Sequence, residues 1–277
     1  MRLGSTRRLP PAAPRRKEAG MRHSDGSAGD ANYGAIGKRY SDYRKPEPRI
    51  AAMIGEALGD ARKVLNVGAG AGSYEPEDRE VTAVEPSASM RAQRPAHLAV
   101  AIDATAESLP FADDQFDASM ATFTVHQWSD LDKGLRELRR VTRGPVLILT
   151  CDPDEVQRFW LHDYAPEVLS TEARRYPSLA AIRRGLGTDI DVRPVPIPLD
   201  CRDGFNEAYY GRPEMLLEEG ARLSCSAWSF VAPAVAQGYV ETLRADLESG
   251  RWDEKYGRLR TQPELHGSLY LIVSRGK

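Results

Sequence analysis

Residues 63–76, KVLNVGAGAGSYEP, decide how the rest of the chain is read. A strand-like run over 63–67 leads directly into Gly68, Gly70 and Gly72, three glycines at alternate positions. Glycine accepts positive φ and lets another group approach the backbone closely. Between a strand and a helix, such a loop holds a nucleotide-like ligand at the carboxyl edge of a sheet. The dinucleotide fingerprint is G-x-G-x-x-G; here the third glycine comes one residue sooner, giving G-x-G-x-G. Taken alone, the pattern also fits a tight strand-to-helix turn that needs small residues.

Outward from the loop, strands and helices alternate. Residues 49–59 carry Ile50, Met53, Ile54, Ala57 and Leu58 at helical spacing, with Gly59 as a C-terminal cap. Further strands are expected at 81–85, 97–102, 116–122 and 145–150. Leu131, Leu135 and Leu138 mark a helix, with Ser129 and Asp132 in capping-box spacing. Continuous apolar runs such as PVLILT (145–150) suit parallel strands covered on both faces, and the alternation means a doubly wound α/β sheet. After Cys151 the alternation stops. Helical stretches are expected over 153–186 and 203–250, with strands at 189–195 and 267–274.

Composition sets the outer bounds. The 277 residues allow one large domain, and 41% apolar residues are ample for a core. The net charge is -2, and setting aside the +5 of residues 1–20 leaves -7 on the body, which argues against a nucleic-acid surface. No apolar run approaches a membrane span. Cys151, Cys201 and Cys225 are far apart, with neither a C-x-x-C pair nor an H-E-x-x-H in the chain. No metal site is expected, and a reducing cytoplasm is the expected setting. Residues 1–30 read as a disordered basic, flexible tail, with Met21 as an alternative start; the other reading is a basic arm for an anionic partner.

Two carboxylates raise the value of the loop. Glu85 ends the second strand, where it can accept both hydroxyls of a ribose. Asp103 ends the third, where it can meet an adenine amino group. At this point residues 64–72 (VLNVGAGAG), 81–90 (VTAVEPSASM), 103–128 (DATAESLPFADDQFDASMATFTVHQW) and 135–150 (LRELRRVTRGPVLILT) resemble the small-molecule branch of the class I S-adenosylmethionine-dependent methyltransferases. The resemblance covers about 33–152 and the last strand. It implies a Rossmann-like, seven-stranded, mostly parallel sheet with an antiparallel last strand, and S-adenosyl-L-methionine as cofactor. By that resemblance Gly68, Ala69, Gly70 and Gly72 pass beneath the cofactor and Glu85 with Pro86 holds its ribose. Met90 lies beside the adenine, Asp103 and Ala104 meet its edge, and Thr122 and Phe123 line the methyl donor. One departure stands out. The family usually has Asp or Glu at the position of Asn66, where the acid helps anchor the cofactor's ammonium group. Asn keeps an acceptor and loses the charge.

The resemblance also implies a lid over 31–48 and one methyltransferase domain over 31–277, with helical insertions at about 153–186 and 203–250 capping the substrate. Arg44 is either a partner for the cofactor carboxylate or a solvated surface arginine. Methyl transfer from a sulfonium is an in-line displacement, so alignment does most of the work. A base is needed only for a nucleophile that arrives protonated. His126 is the candidate, although packing against the next helix also explains a histidine there. Tyr33, Tyr40, Trp160, Tyr164, Tyr209, Tyr210 and Arg212 are the candidate substrate contacts. The partner expected is a small molecule taking the methyl on O, N or C, with no nucleic acid and no membrane, and the chain a monomer or homodimer. Three rivals remain. A nicotinamide-dependent oxidoreductase is disfavoured by G-x-G-x-G. A protein that binds the cofactor without methylating is kept open by Asn66. A nucleic-acid methyltransferase is disfavoured because ATFTVHQW (121–128) lacks an Asn/Asp-Pro-Pro-aromatic phrase.

Overall fold

A computed structural model describes residues 40–187 and 189–276. The expected tail at 1–30, the first part of the expected lid and Tyr33 lie outside the described residues. Six strands form the main sheet: β1 (Lys63–Val67), β2 (Glu80–Val84), β3 (Ala118–Thr122), β4 (Val146–Cys151), β5 (Ile190–Pro194) and β8 (Leu269–Ser274). Their order is β2-β1-β3-β4-β8-β5. The first four run parallel, and β8 lies antiparallel between β4 and β5, so the mostly parallel sheet with an antiparallel last strand is as expected. A small ribbon pairs β6 (Ile197–Pro198) with β7 (Glu264–Leu265).

Side chains alternate across the sheet, and both faces are covered. Val64, Met120, Leu147 and Leu149 face one side with Ile50, Ile54 and Leu58 of the helix Pro48–Leu58. Leu65, Val67, Ala121 and Ile148 face the other with Leu135 and Leu138 of the helix Leu131–Val141. That two-sided burial is why these strands read as unbroken apolar runs.

Two expectations need correction. The sheet has six strands among the described residues, not seven. The segment expected as a strand at 97–102 contributes a single bridge, Ile102 to Val84. Only Ala101 is buried, against Ala69 and Ala83, and its neighbours are uncovered: Val100 is 92% exposed and Ile102 40%. The cap of the Leu131–Val141 helix is Asp130, whose carboxylate accepts from the Lys133 N–H at 2.9 Å. Ser129 instead donates its hydroxyl to Glu107 at 2.9 Å.

The region after β4 is helical, as expected, and continues past 250 through the helix Arg251–Tyr256. Its interior is an aromatic cluster. Trp160 packs against Phe159, Tyr164, Trp252 and Tyr256 with ring centroids 5.1–6.0 Å apart.

Candidate functional site

The glycine loop has the backbone that its sequence demands. Gly68, Gly70 and Gly72 all have positive φ, at 69°, 51° and 98°. The N–H groups of Gly68 and Ala69 both donate to the Val84 carbonyl, at 2.8 and 2.9 Å, which ties the loop to the end of β2. The three positions differ in their surroundings. A Cβ on Gly68 would fall 1.9 Å from Thr124 Oγ1, so that glycine lets the loop pack on the segment after β3. A Cβ on Gly72 would fall 2.2 Å from Leu98 Cδ1. A Cβ on Gly70 would meet only Met90 Cε, at 3.4 Å, so the space over Gly70 is otherwise open.

Glu85 clamps the same loop. Its Oε2 accepts from Gly70 N at 2.9 Å and its Oε1 from Ser87 N at 2.8 Å. Burial pushes its carboxyl up, against the pull of these two N–H donors and of Arg91 and Arg94. A carboxylate has about four acceptor sites, so capacity remains for two hydroxyls. Pro86 is exposed beside it, and Met90 is buried on the short helix Ala88–Arg91. Asp103 lies across from Glu85, where Arg91 joins them by donating to the Glu85 carbonyl at 2.7 Å and to Asp103 Oδ2 at 2.9 Å. Ala104 follows, partly exposed.

Beyond β3 the chain turns sharply. Phe123 takes φ 51°, a conformation costly for a side chain this large. Its ring lies 5.4 Å from Phe205 and 6.4 Å from Tyr74, with the Arg44 guanidinium 5.0 Å from its centroid. Arg44 pairs with Asp203 through Nε at 2.5 Å and Nη2 at 3.3 Å, and Tyr74 donates to Asp203 Oδ2 at 2.9 Å. Arg44 is therefore an interior residue of this cluster, not a solvated arginine.

His126 sits in the turn after Phe123. It is buried, its ring is 4.6 Å from Tyr176, and its Nδ1 has no hydrogen-bond partner. Burial, with Arg175 and Arg44 nearby, pushes its imidazole well below the usual histidine range, so the ring is neutral near pH 7. His126, Phe123, Arg44, Glu172, Tyr176 and Phe205 line one cavity of about 30 Å³. That volume holds a water molecule or two. Glu172 accepts from Asn206 Nδ2 at 2.6 Å, and burial raises its carboxyl.

The structure brings together Asn66, the glycines, Glu85, Met90, Asp103, Phe123, Arg44 and His126 along the carboxyl edge of β1, β2 and β3. Thr122 closes β3, and Tyr40 opens the helix Tyr40–Tyr43. The expected substrate contacts divide. Tyr209 is buried beside Gly204, next to Asp203 and Phe205. Trp160, Tyr164 and Tyr210 belong to the packing of the cap: the Trp160 indole donates to the Tyr210 carbonyl at 3.0 Å, Tyr164 to Asp246 at 3.0 Å, and Tyr210 to the Gln262 carbonyl at 2.6 Å. Arg212 donates to the carbonyls of Cys201 and Ala208 and so ties local backbone. Sequence reading missed Glu75 and Arg94 beside Asn66, and Asp203, Phe205, Glu172 and Tyr176 around Phe123. Glu75 had a local signal, an acid just past the glycines where position 66 lacks one; the others come from distant segments.

These residues fit S-adenosylmethionine. The space over Gly70 is open to a ligand, Glu85 retains acceptor capacity at the end of β2, and Asn66 Oδ1 is a buried acceptor without a partner. Among the described residues no helix is long and apolar enough to cross a membrane.

Comparison with known proteins agrees. A family profile described as "Methyltransferase domain" matches residues 65–148. A solved structure from Anabaena variabilis, described as a methyltransferase from an antibiotic biosynthesis pathway, is 30% identical. The match covers 84% of this chain and 98% of that one, with a TM-score of 0.78. A malonyl-[acyl-carrier protein] O-methyltransferase from Pseudescherichia vulneris is 31% identical over 130 residues, covering 43% of this chain and 52% of that protein. The chain thus spans about half the length of that curated relative.

Proposed function

The chain belongs to the class I S-adenosylmethionine-dependent methyltransferases, and from that premise we propose that it methylates an O, N or C atom of a small molecule held beyond Phe123. The observation that carries this reading is the cavity where Phe123, Phe205, Tyr176, Glu172 and the unpartnered Nδ1 of His126 meet, with Phe123 one residue along the chain from Thr124, on which Gly68 of the glycine loop packs. S-adenosylmethionine, when bound, supplies an activated methyl group on a sulfonium. The protein's residues do the rest. Gly68 to Gly72 and Glu85 hold the cofactor against the ends of β1 and β2, Asp103 and Ala104 bound its adenine side, and Thr122 and Phe123 bound the methyl side. Aromatic walls orient the acceptor and exclude water, and alignment of this kind is worth effective molarities of about 10^5–10^8 M.

His126 acts on an acceptor that arrives protonated. A neutral ring with its proton on Nε2 offers Nδ1 as a base, and general-base catalysis is typically worth about 10^2–10^4 in rate. In this reading residues 31–277 form one methyltransferase domain. The insertion at 153–186 supplies Glu172 and Tyr176, and that at 203–250 supplies Phe205 and Cys225. The lid role is assigned to the segment 31–48, whose described part, residues 40–48, is tied to the second insertion by the Arg44–Asp203 pair. The cavity is sized for one or two waters, so admitting a larger acceptor requires the side chains that line it to move.

The test is His126→Asn, assayed with the acceptor found by a screen of small molecules for methylation. Turnover at saturating cofactor should fall by about 10^2–10^4 while cofactor affinity stays within twofold of the unaltered protein. Undiminished turnover removes His126 from the mechanism.

A further inference from the structure

Position 66, where the family usually carries an acid, holds an asparagine that is fully buried on β1, two residues before the glycine loop. Its Nδ2 donates to Glu75 Oε1 at 3.0 Å. Glu75 is itself buried, and its Oε2 accepts from Arg94 Nη2 at 2.8 Å, with the two side chains 1% and 4% exposed. Arg94 also donates to the carbonyl of Gly70, at 3.3 Å, and to that of Ala99, at 2.9 and 3.1 Å. Asn66, Glu75 and Arg94 therefore form one buried network that reaches the glycine loop.

The chemistry of the network fixes the amide. An ionised carboxylate only accepts hydrogen bonds, so Asn66 must turn its NH2 toward Glu75; the reversed amide would set two acceptors against each other. The Asn66 oxygen is thereby directed away from Glu75, and it is left buried with no partner. Leaving a buried acceptor unmet is costly, and a donor arriving with a ligand removes that cost. A cofactor whose amino-acid end carries an ammonium group brings such a donor.

We propose that Glu75 is a positioning residue for the cofactor: by holding the Asn66 amide it makes Asn66 Oδ1, in place of the family's carboxylate, the acceptor for the cofactor's ammonium group, directly or through one water. The inference rests on the methyltransferase reading. It also explains why the acid is absent from position 66. A carboxylate there would stand about 3 Å from Glu75, and two carboxylates that close do not both ionise. In this chain, restoring the family's usual residue should therefore harm the site.

The experiment compares two ligands by calorimetry: S-adenosylhomocysteine, which has the amino-acid end, and 5′-methylthioadenosine, which lacks it. Asn66→Asp should bind S-adenosylhomocysteine about ten- to a hundredfold more weakly than the unaltered protein, the range for a hydrogen bond to a charged group. Its affinity for 5′-methylthioadenosine should change less than threefold. The double variant Asn66→Asp, Glu75→Gln re-forms a donor–acceptor pair with its charge at position 66 and should recover most of the lost affinity. If Asn66→Asp does not fold, Asn66→Ala carries the same selective loss. Unchanged or tighter S-adenosylhomocysteine binding by Asn66→Asp overturns the inference. So does an equal loss for both ligands, which marks a merely distorted loop. Failure of the unaltered protein to bind either ligand would strike instead at the cofactor reading on which the inference stands.

Discussion

Replacing Gly70 by alanine separates the two uses of the glycine loop, as a turn and as a ligand cradle. The fold itself has little against the change. Gly70 has φ 51°, and a left-handed conformation costs a residue with a Cβ about 1–2 kcal/mol. Alanine's smaller loss of unfolded-chain entropy offsets about 0.4–1 kcal/mol of that. The new methyl meets only the end of the Met90 side chain, at 3.4 Å, and Met90 can yield. The net cost is about 1 kcal/mol, or about 2–4 °C in Tm for a chain of this size. Gly68→Ala is the control. Its Cβ would lie 1.9, 2.7 and 2.8 Å from Oγ1, Cβ and Cγ2 of Thr124. Rotating the threonine cannot clear its own Cβ, so backbone must move, which adds about 1–3 kcal/mol of overpacking. Scanning calorimetry should therefore show Gly68→Ala losing at least twice as many degrees as Gly70→Ala. Titration with S-adenosylhomocysteine should show Gly70→Ala losing at least tenfold in affinity, because its methyl enters the space assigned to the ligand. A Gly70→Ala protein that folds and binds like the unaltered one would refute that assignment.

Glu85→Ala should weaken S-adenosylhomocysteine by about 1.5–3 kcal/mol in the same titration, the worth of hydrogen bonds to a charged group. Normal binding would place the ribose elsewhere. Glu207 gives a pH prediction. It is buried against Ser268, which donates to it from both N and Oγ, and burial pushes its carboxyl up to about 7. A raised folded value means that the folded state binds the proton more tightly. The stability this contributes is present below the ordinary value of about 4.5 and is lost as pH rises through about 7. Glu207→Gln should abolish that loss, so its stability measured from pH 4.5 to 7.5 should fall by about 3 kcal/mol less than that of the unaltered protein. Parallel pH curves for the two would show that the carboxyl titrates normally.

What the sequence revealed follows from the range of each interaction. The glycine loop, Glu85 and the strands β1 to β4 were legible because their determinants are local: apolar runs, then residues that tolerate positive φ. The strand expected at 97–102 failed because the pattern HLAVAI says nothing about whether a layer exists to cover Val100. Ser129 and Asp130 are both good caps, and only Glu107, claiming the Ser129 hydroxyl, decides between them. The region around Phe123 was least legible. Arg44 meets Asp203 across 159 residues, and Glu172 and Tyr176 arrive from an insertion whose helical pattern reports packing and not chemistry. Trp160, Tyr164 and Tyr210 pack within the cap, where Trp160 and Tyr210 also line a separate cavity of about 300 Å³, a placement that a list of aromatics does not reveal.

The most direct test of the whole account is calorimetric titration of the unaltered protein with S-adenosylmethionine and with S-adenosylhomocysteine. The account predicts saturable binding of both at one site per chain, with S-adenosylhomocysteine displaced by added S-adenosylmethionine. Absence of binding by either, in protein that melts cooperatively, would contradict it.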